Sequence, residues 1–205
     1  MLKKVQILLI VLAVASIIYI ISKVNKNNKI SNFLTSNNYK YFNYSEFDTP
    51  AVQGVDNSGD IYEKNGRSYV KNSGLKNMDT TFLNMLNKSR DIIEKEYNSV
   101  NPNSKIVYRI NSGYRSPAYN DWLDNNTNYQ VAKTSSHMGG LASDIDVSTY
   151  STEQIKVILD SLVRSGFNRF GLGQNFIHVD NDTGKTQNIS WNYGTGSINL
   201  DPFNL

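Results

Sequence analysis

Residues 5–21 are almost wholly apolar, interrupted only by Gln6, Ser16 and Tyr19, with Lys3 and Lys4 before the run and Lys23 and Lys26 after it. A chain carrying such a run cannot place all of itself in one water-exposed globule. At about 1.5 Å per residue, a helix of roughly 17–20 residues spans about 25–30 Å, enough for the hydrocarbon core of a bilayer. Residues 1–24 are therefore read as a transmembrane signal-anchor. A cleaved signal peptide competes with this, because Ala13-Val14-Ala15 fits a small-residue cleavage site. Continuation of the apolar run through Ile17, Ile18, Ile20 and Ile21 favours retention. Lysines on both flanks leave the orientation open on charge bias alone.

Residues 25–40 are rich in Asn, Lys and Ser and read as a polar linker, which leaves residues 41–205 for one folded domain. The net charge of +3 looks basic until it is located. Five of the 21 basic residues lie within residues 1–29, where there is no acid, so the remainder carries 16 bases against 18 acids, a net of −2. A body of that sign, without clustered Lys/Arg and interleaved aromatics, gives no footprint for nucleic acid, and no such partner is expected. Aromatics at 11% exclude a disordered polymer. The absence of cysteine removes disulfides, thiolate metal sites and thiol nucleophiles, so any metal must be held by His, Asp or Glu.

Within the domain, Phe82, Leu83, Leu86, Ile92 and Ile93 fall at helical spacing behind Asp79, a suitable N-cap. Ser151-Thr152-Glu153-Gln154 has the form of a capping box, and it opens a second helix that buries Ile155, Ile158, Leu159 and Leu162 before Gly166 stops it. Short β-type runs are expected at 105–110, 141–147 and 176–180. A few long helices among short strands indicate an α+β fold.

The chemistry gathers around the only two histidines. His137 stands in Ser135-Ser136-His137-Met138-Gly139-Gly140-Leu141-Ala142-Ser143-Asp144, where the glycines permit a tight turn and the small residues let the chain re-enter a sheet. His178 stands in Phe176-Ile177-His178-Val179-Asp180, whose alternation suits a strand, so His178 and Asp180 share a face. Two imidazoles and one carboxylate make a common catalytic zinc set, although a lone histidine is more often a structural hydrogen-bonder.

Three motifs stand in order: Ser112-Gly113-Tyr114-Arg115-Ser116-Pro117, Ser135-x-His137-x-x-Gly140-x-Ala142-x-Asp144 and Phe176-Ile177-His178-Val179-Asp180. Together they closely resemble the zinc D-Ala-D-Ala carboxypeptidase and murein endopeptidase family, whose fold is shared with the hedgehog signalling domain. The likeness runs from near Tyr41-Phe42 to Trp191. It implies a small antiparallel sheet flanked by helices, and a zinc ion held by His137, Asp144 and His178. It also implies Arg115 over the scissile carbonyl, where an always-charged fork suits a developing oxyanion. Several relatives place a glutamate or a histidine just before the last ligand as general base, and this chain has Asn175 and Phe176 there. Asp180 is the nearest substitute, either as the base or as the partner that orients an imidazole. Asp146 is assigned a structural role, and Tyr114 and Trp191 are set between groove lining and core packing.

The reading is a membrane-anchored, extracytoplasmic zinc peptidase, on the periplasmic or cell-surface face. It would hydrolyse peptidoglycan stem or cross-link peptides as a D,D-carboxypeptidase or an endopeptidase. Its rivals are a non-catalytic zinc-stabilised module that binds wall peptides or a partner, and a phage-borne lytic peptidase exported by its N-terminal segment.

Overall fold

The computed structural model describes residues 41–42, 44–52, 59–129 and 131–205. The signal-anchor and the linker lie outside them. Among the described residues no helix is long and apolar enough to cross a membrane.

The compact unit Tyr41–Leu205 is α+β. A two-stranded hairpin, β1 (Ile61–Lys64) and β2 (Arg67–Val70), precedes a five-stranded sheet made of β3 (Arg109–Ser112), β4 (Ala142–Asp146), β5 (Arg169–Leu172), β6 (Phe176–Asp180) and β7 (Ile189–Asn192). The helices are α1 (Ser73–Asn77), α2 (Thr80–Ile92), α3 (Pro117–Asn126) and α4 (Thr152–Ser165). The larger sheet has the order β3-β4-β6-β5-β7. Its pairs are antiparallel except β5 with β7, which run parallel. The expected all-antiparallel sheet is corrected on that edge: β7 returns beside β5 after a long loop instead of by a hairpin.

Local signals account for the helices. Asp79 accepts the Phe82 backbone N–H at 2.8 Å and starts α2, which runs on into a wider π-helical turn at Ile93–Asn98. Ser151 and Gln154 close a complete capping box on α4, and Gly166 ends that helix in the left-handed region at φ 114°. Both helices bury an apolar stripe, α2 with Phe82, Leu83 and Leu86, α4 with Ile155, Ile158, Leu159 and Leu162. Ser89 and Ser161 join the two helices by a buried hydroxyl pair at 2.8 Å.

Strand alternation divides the sheet chemically. One face carries Ile145, Phe170, Leu172, Ile177 and Val179, all essentially buried in the core. The other carries a continuous row, Ser112–Asp144–His178–Gly171–Trp191, set by the register of five strands. A second row beside it pairs Ala142, Asp180 and Arg169. The register shifts between Ile110 and Ser112. That bulge places Ser112 opposite Asp144 while Ile110 stays opposite Ile145, and so delivers the Gly113–Arg115 segment to the polar face. The first expected strand, 105–110, is accordingly displaced toward the bulge.

Candidate metal centre

Four segments converge on the polar face. β4 and β6 present Asp144 and His178 as direct cross-strand partners. His137 comes from a short 3-10 turn, Ser136–Gly139, which Gly140 terminates at φ 68°. A Cβ at Gly140 would lie 2.0 Å from the Asn77 carbonyl oxygen, so this turn admits only glycine. Its position is braced from outside, because Lys185 donates to Ser136 Oγ and to the Thr134 carbonyl, both at 2.8 Å.

Three donor atoms form a nearly equilateral triangle. His137 Nε2 lies 3.2 Å from His178 Nδ1 and 3.3 Å from Asp144 Oδ1, and His178 Nδ1 lies 2.9 Å from that same oxygen. Three ligands at about 2.0–2.1 Å on a tetrahedral ion stand about 3.3 Å apart, so the spacing fits a zinc ion seated against them with a fourth position left over. The imidazole orientations agree with this. His137 Nδ1–H donates to the Gly113 carbonyl at 2.6 Å, which leaves the Nε2 lone pair facing the triangle. His178 does the reverse: its Nε2–H faces Asp180 Oδ2 at 3.2 Å, and Nδ1 faces inward. These residues can therefore hold a metal ion, and they are the one such group among the described residues.

Electrostatics suits Asp144 and His137 to ligation and leaves His178 inclined to hold a proton. Burial alone would raise the Asp144 carboxyl, but the neighbouring His137, the Arg115 charge and the imidazole hydrogen bonds outweigh it and hold the group well below the usual carboxylate range. Burial lowers His137, against the pull of Asp144, and so favours its neutral form. Burial also opposes charge on His178, yet its hydrogen bonds to Asp144 and Asp180 raise it overall.

Arg115 stands at the edge of the triangle. Its Nη2 donates to Asp144 Oδ2 at 2.6 Å and its Nε to Ser112 Oγ at 3.1 Å, while its backbone N–H bonds the His137 carbonyl at 3.2 Å. Asp180 lies on the same face as His178 and is 1% exposed. Its Oδ1 accepts from Arg169 Nε at 2.6 Å and from the Asp182 N–H at 3.1 Å, so both oxygens are engaged. Asp146 is outside the cluster, where Oδ1 caps the Ser148 N–H. Asn175 and Phe176 offer no proton acceptor, the former bonding Val147 N–H through its backbone carbonyl.

Arg169 and Tyr193 are the residues that the sequence reading missed, and Trp191, left there between groove lining and core packing, joins Tyr193 in an aromatic wall. Trp191 and Tyr193 pack beside His178 with ring centroids 5.6 and 6.3 Å away, and the Arg169 guanidinium lies over Trp191. Gly171 makes this possible, since a Cβ there would meet the Tyr193 ring at 2.4 Å and the Trp191 ring at 2.8 Å. Burial pushes the Tyr193 hydroxyl up to about 12, so it keeps its proton at neutral pH. Tyr114, by contrast, is half-buried and is fastened by its backbone N–H to the Phe47 carbonyl.

No curated protein and no solved structure matches the chain. A family model described as peptidoglycan L,D-endopeptidase MepK matches residues 36–187, a span that contains the three motifs and every donor of the triangle. On that match the chain belongs to the peptidoglycan L,D-endopeptidase MepK family, within the zinc murein peptidases that its motifs resemble.

Proposed function

We propose that the protein is a zinc endopeptidase that cleaves a bond between an L- and a D-centre in peptidoglycan cross-link peptides. The carrying observation is the triangle of His137, Asp144 and His178 donors, spaced at 2.9–3.3 Å inside the family span. The description of the matched family supports endopeptidase over D,D-carboxypeptidase.

In this reading His137 Nε2, Asp144 Oδ1 and His178 Nδ1 hold the ion. Bound zinc supplies Lewis acidity toward the scissile carbonyl and toward water. The chain's own residues do the rest. Gly113 and Asp180 fix the two imidazole tautomers through the nitrogens that do not ligate. Arg169 in turn holds Asp180, which makes Asp180 a positioning residue acting through His178. Arg115 keeps Asp144 ionised through Nη2 while Ser112 Oγ takes its Nε–H, and the Nη1 N–H groups serve the oxyanion. Trp191 and the protonated Tyr193 wall the substrate groove on the β7 side.

A second reading, a zinc-stabilised module that binds wall peptides without cleaving them, is favoured by one observation. Asp180 is fully engaged, and Asn175 carries no base in its place. Incubating the full-length chain with purified cross-linked muropeptides and locating new termini by mass spectrometry separates the two. New ends at an L–D bond are expected; intact dimers recovered with bound protein would support the binding module, and release of terminal D-alanine alone would return the activity to the carboxypeptidase class. The residue 1–24 segment is proposed to tether the enzyme to the membrane, with the domain on the extracytoplasmic side. Fractionation should recover the chain with membranes, and a soluble product shortened at Ala15 would make the segment a cleaved signal peptide.

A further inference from the structure

A second concavity lies outside the His137–Asp144–His178 group. It is an open cleft of about 300 Å³ lined by Pro50, Ala51, Val52, Arg67, Tyr119 and Trp122, at the lower end of the size range of ligand clefts. Three elements build it, and each is tied to the next. Ala51 N–H donates to the Ser68 carbonyl at 2.9 Å and Pro50 bridges to Tyr69, which clamps this segment to β2. Ser116 N–H donates to Thr49 Oγ1 at 3.1 Å, which joins the segment to the start of α3. The pocket is thus part of the folded frame.

Its chemistry is specific. Tyr119 and Trp122, one turn apart on α3, stack at 6.1 Å with only 11° between their planes and form a flat wall. Arg67 is exposed, and its guanidinium has no hydrogen-bond or ion-pair partner among the described residues. Lys64 stands opposite Arg67 across the hairpin, and among the described residues no acid lines the pocket. A guanidinium fork without a partner matches a carboxylate in two-point geometry, and an aromatic wall accepts the apolar stem that bears it.

The chain itself links the pocket to the metal centre. Arg115 directly precedes Ser116, the N-cap of the helix whose first turn carries Tyr119. Burial raises the Tyr119 hydroxyl, and the Arg67 and Arg115 charges both oppose that rise, so the ring stands within electrostatic range of each guanidinium.

We infer that this pocket is a substrate subsite that seats a free carboxylate of the peptidoglycan peptide, next to the bond presented to the metal centre. The inference rests on the peptidase reading for the identity of the peptide, but its recognition chemistry is measured by binding alone. Stem peptides bear free carboxylates on short apolar stems, and converting those groups to carboxamides removes the charge with little change of shape.

The test uses the full-length chain and two probes, cross-linked peptide dimers released from peptidoglycan and the same dimers with their carboxyl groups amidated, titrated by calorimetry. The wild-type chain should bind the free acid more tightly than the amide by roughly 10–100-fold, the range for a charge-assisted pair. Arg67→Gln should lose that preference and leave the amide affinity unchanged, Arg67→Lys should keep part of it, and Trp122→Ala should weaken both probes. Arg67 is exposed, so its variants should melt with the wild type. Equal affinity of the wild type for acid and amide, an unchanged preference in Arg67→Gln, or no binding of either probe overturns the subsite. Binding with the Arg67-dependent preference but no hydrolysis overturns the peptidase reading and leaves the subsite standing, whereas hydrolysis that is indifferent to Arg67 does the opposite.

Discussion

Replacing Arg169 by methionine tests how the fold holds the metal centre, because it removes a cation that touches no donor of the triangle. Arg169 is 7% exposed and Asp180 is 1% exposed. Their 2.6 Å contact is a buried ion pair, supplemented by a bond from Arg169 to the Thr186 carbonyl and by the Trp191 face. Removing one partner of such a pair costs about 3–5 kcal/mol, since the other charge is left without compensation in the interior. Asp180 would keep the Asp182 N–H at 3.1 Å and the His178 Nε2–H at 3.2 Å, which places the loss near the lower end, about 3 kcal/mol. In a unit of this size that lowers Tm by about 6–12 °C.

The sign with pH follows from Asp180. Burial raises its carboxyl, but His178 and then Arg169 outweigh burial and hold it below the usual carboxylate range. A depressed carboxyl contributes stability that is present above the unfolded value, about 3.9, and is lost as pH falls through the folded value. The Tm gap between wild type and Arg169→Met should therefore be full at neutral pH and close below about pH 4. Replacing both partners, Arg169→Met with Asp180→Leu, should recover part of the loss, because no uncompensated charge remains. Calorimetric melting of the three variants reads all of this. An Arg169→Met protein that melts within about 1 °C of wild type at neutral pH, or a gap that widens toward acid, would refute the argument.

Further outcomes follow from the same geometry. Arg115→Ala should lower kcat by about 10²–10³ while one zinc per chain is retained, read by kinetics beside metal analysis; loss of the metal itself would make Arg115 a support of Asp144 instead of an oxyanion donor. Asp180→Asn should weaken zinc by about 10–100-fold with activity restored by added zinc, and activity that stays lost at saturating zinc would assign Asp180 as the base. Gly171→Ala should displace Tyr193 and Trp191 from contact distances of 2.4 and 2.8 Å, costing about 1–3 kcal/mol and raising KM; an unchanged Tm and KM would show that the aromatic wall yields without consequence.

The parts of the molecule that local rules govern were legible in the sequence. The cap at Asp79, the box at Ser151 and the stop at Gly166 stand where the structure has them, because each is satisfied within one turn of backbone. The strand Phe176–Asp180 was legible from its alternation, and so was the shared face of His178 and Asp180. The hairpin was missed although Asn65-Gly66 signals it: both residues take positive φ, 54° and 73°, as a two-residue turn requires, but the flanking strands are too polar to show a period. The β3 shift was illegible because a bulge depends on the partner strand. Arg169 was missed for a related reason. A charge within Arg-Phe-Gly-Leu has no meaning until β5 pairs with β6 and brings Asp180 opposite it. The aromatic wall needed the parallel return of β7, which no local pattern encodes.

The most direct test of the account is a zinc-dependence measurement on the full-length chain acting on cross-linked muropeptides. The account predicts close to one zinc per wild-type chain, hydrolysis that stops on chelation and returns with zinc, and loss of both metal and hydrolysis in His137→Ala and His178→Ala. Hydrolysis that survives complete removal of the metal, or undiminished zinc in both histidine variants, would contradict it.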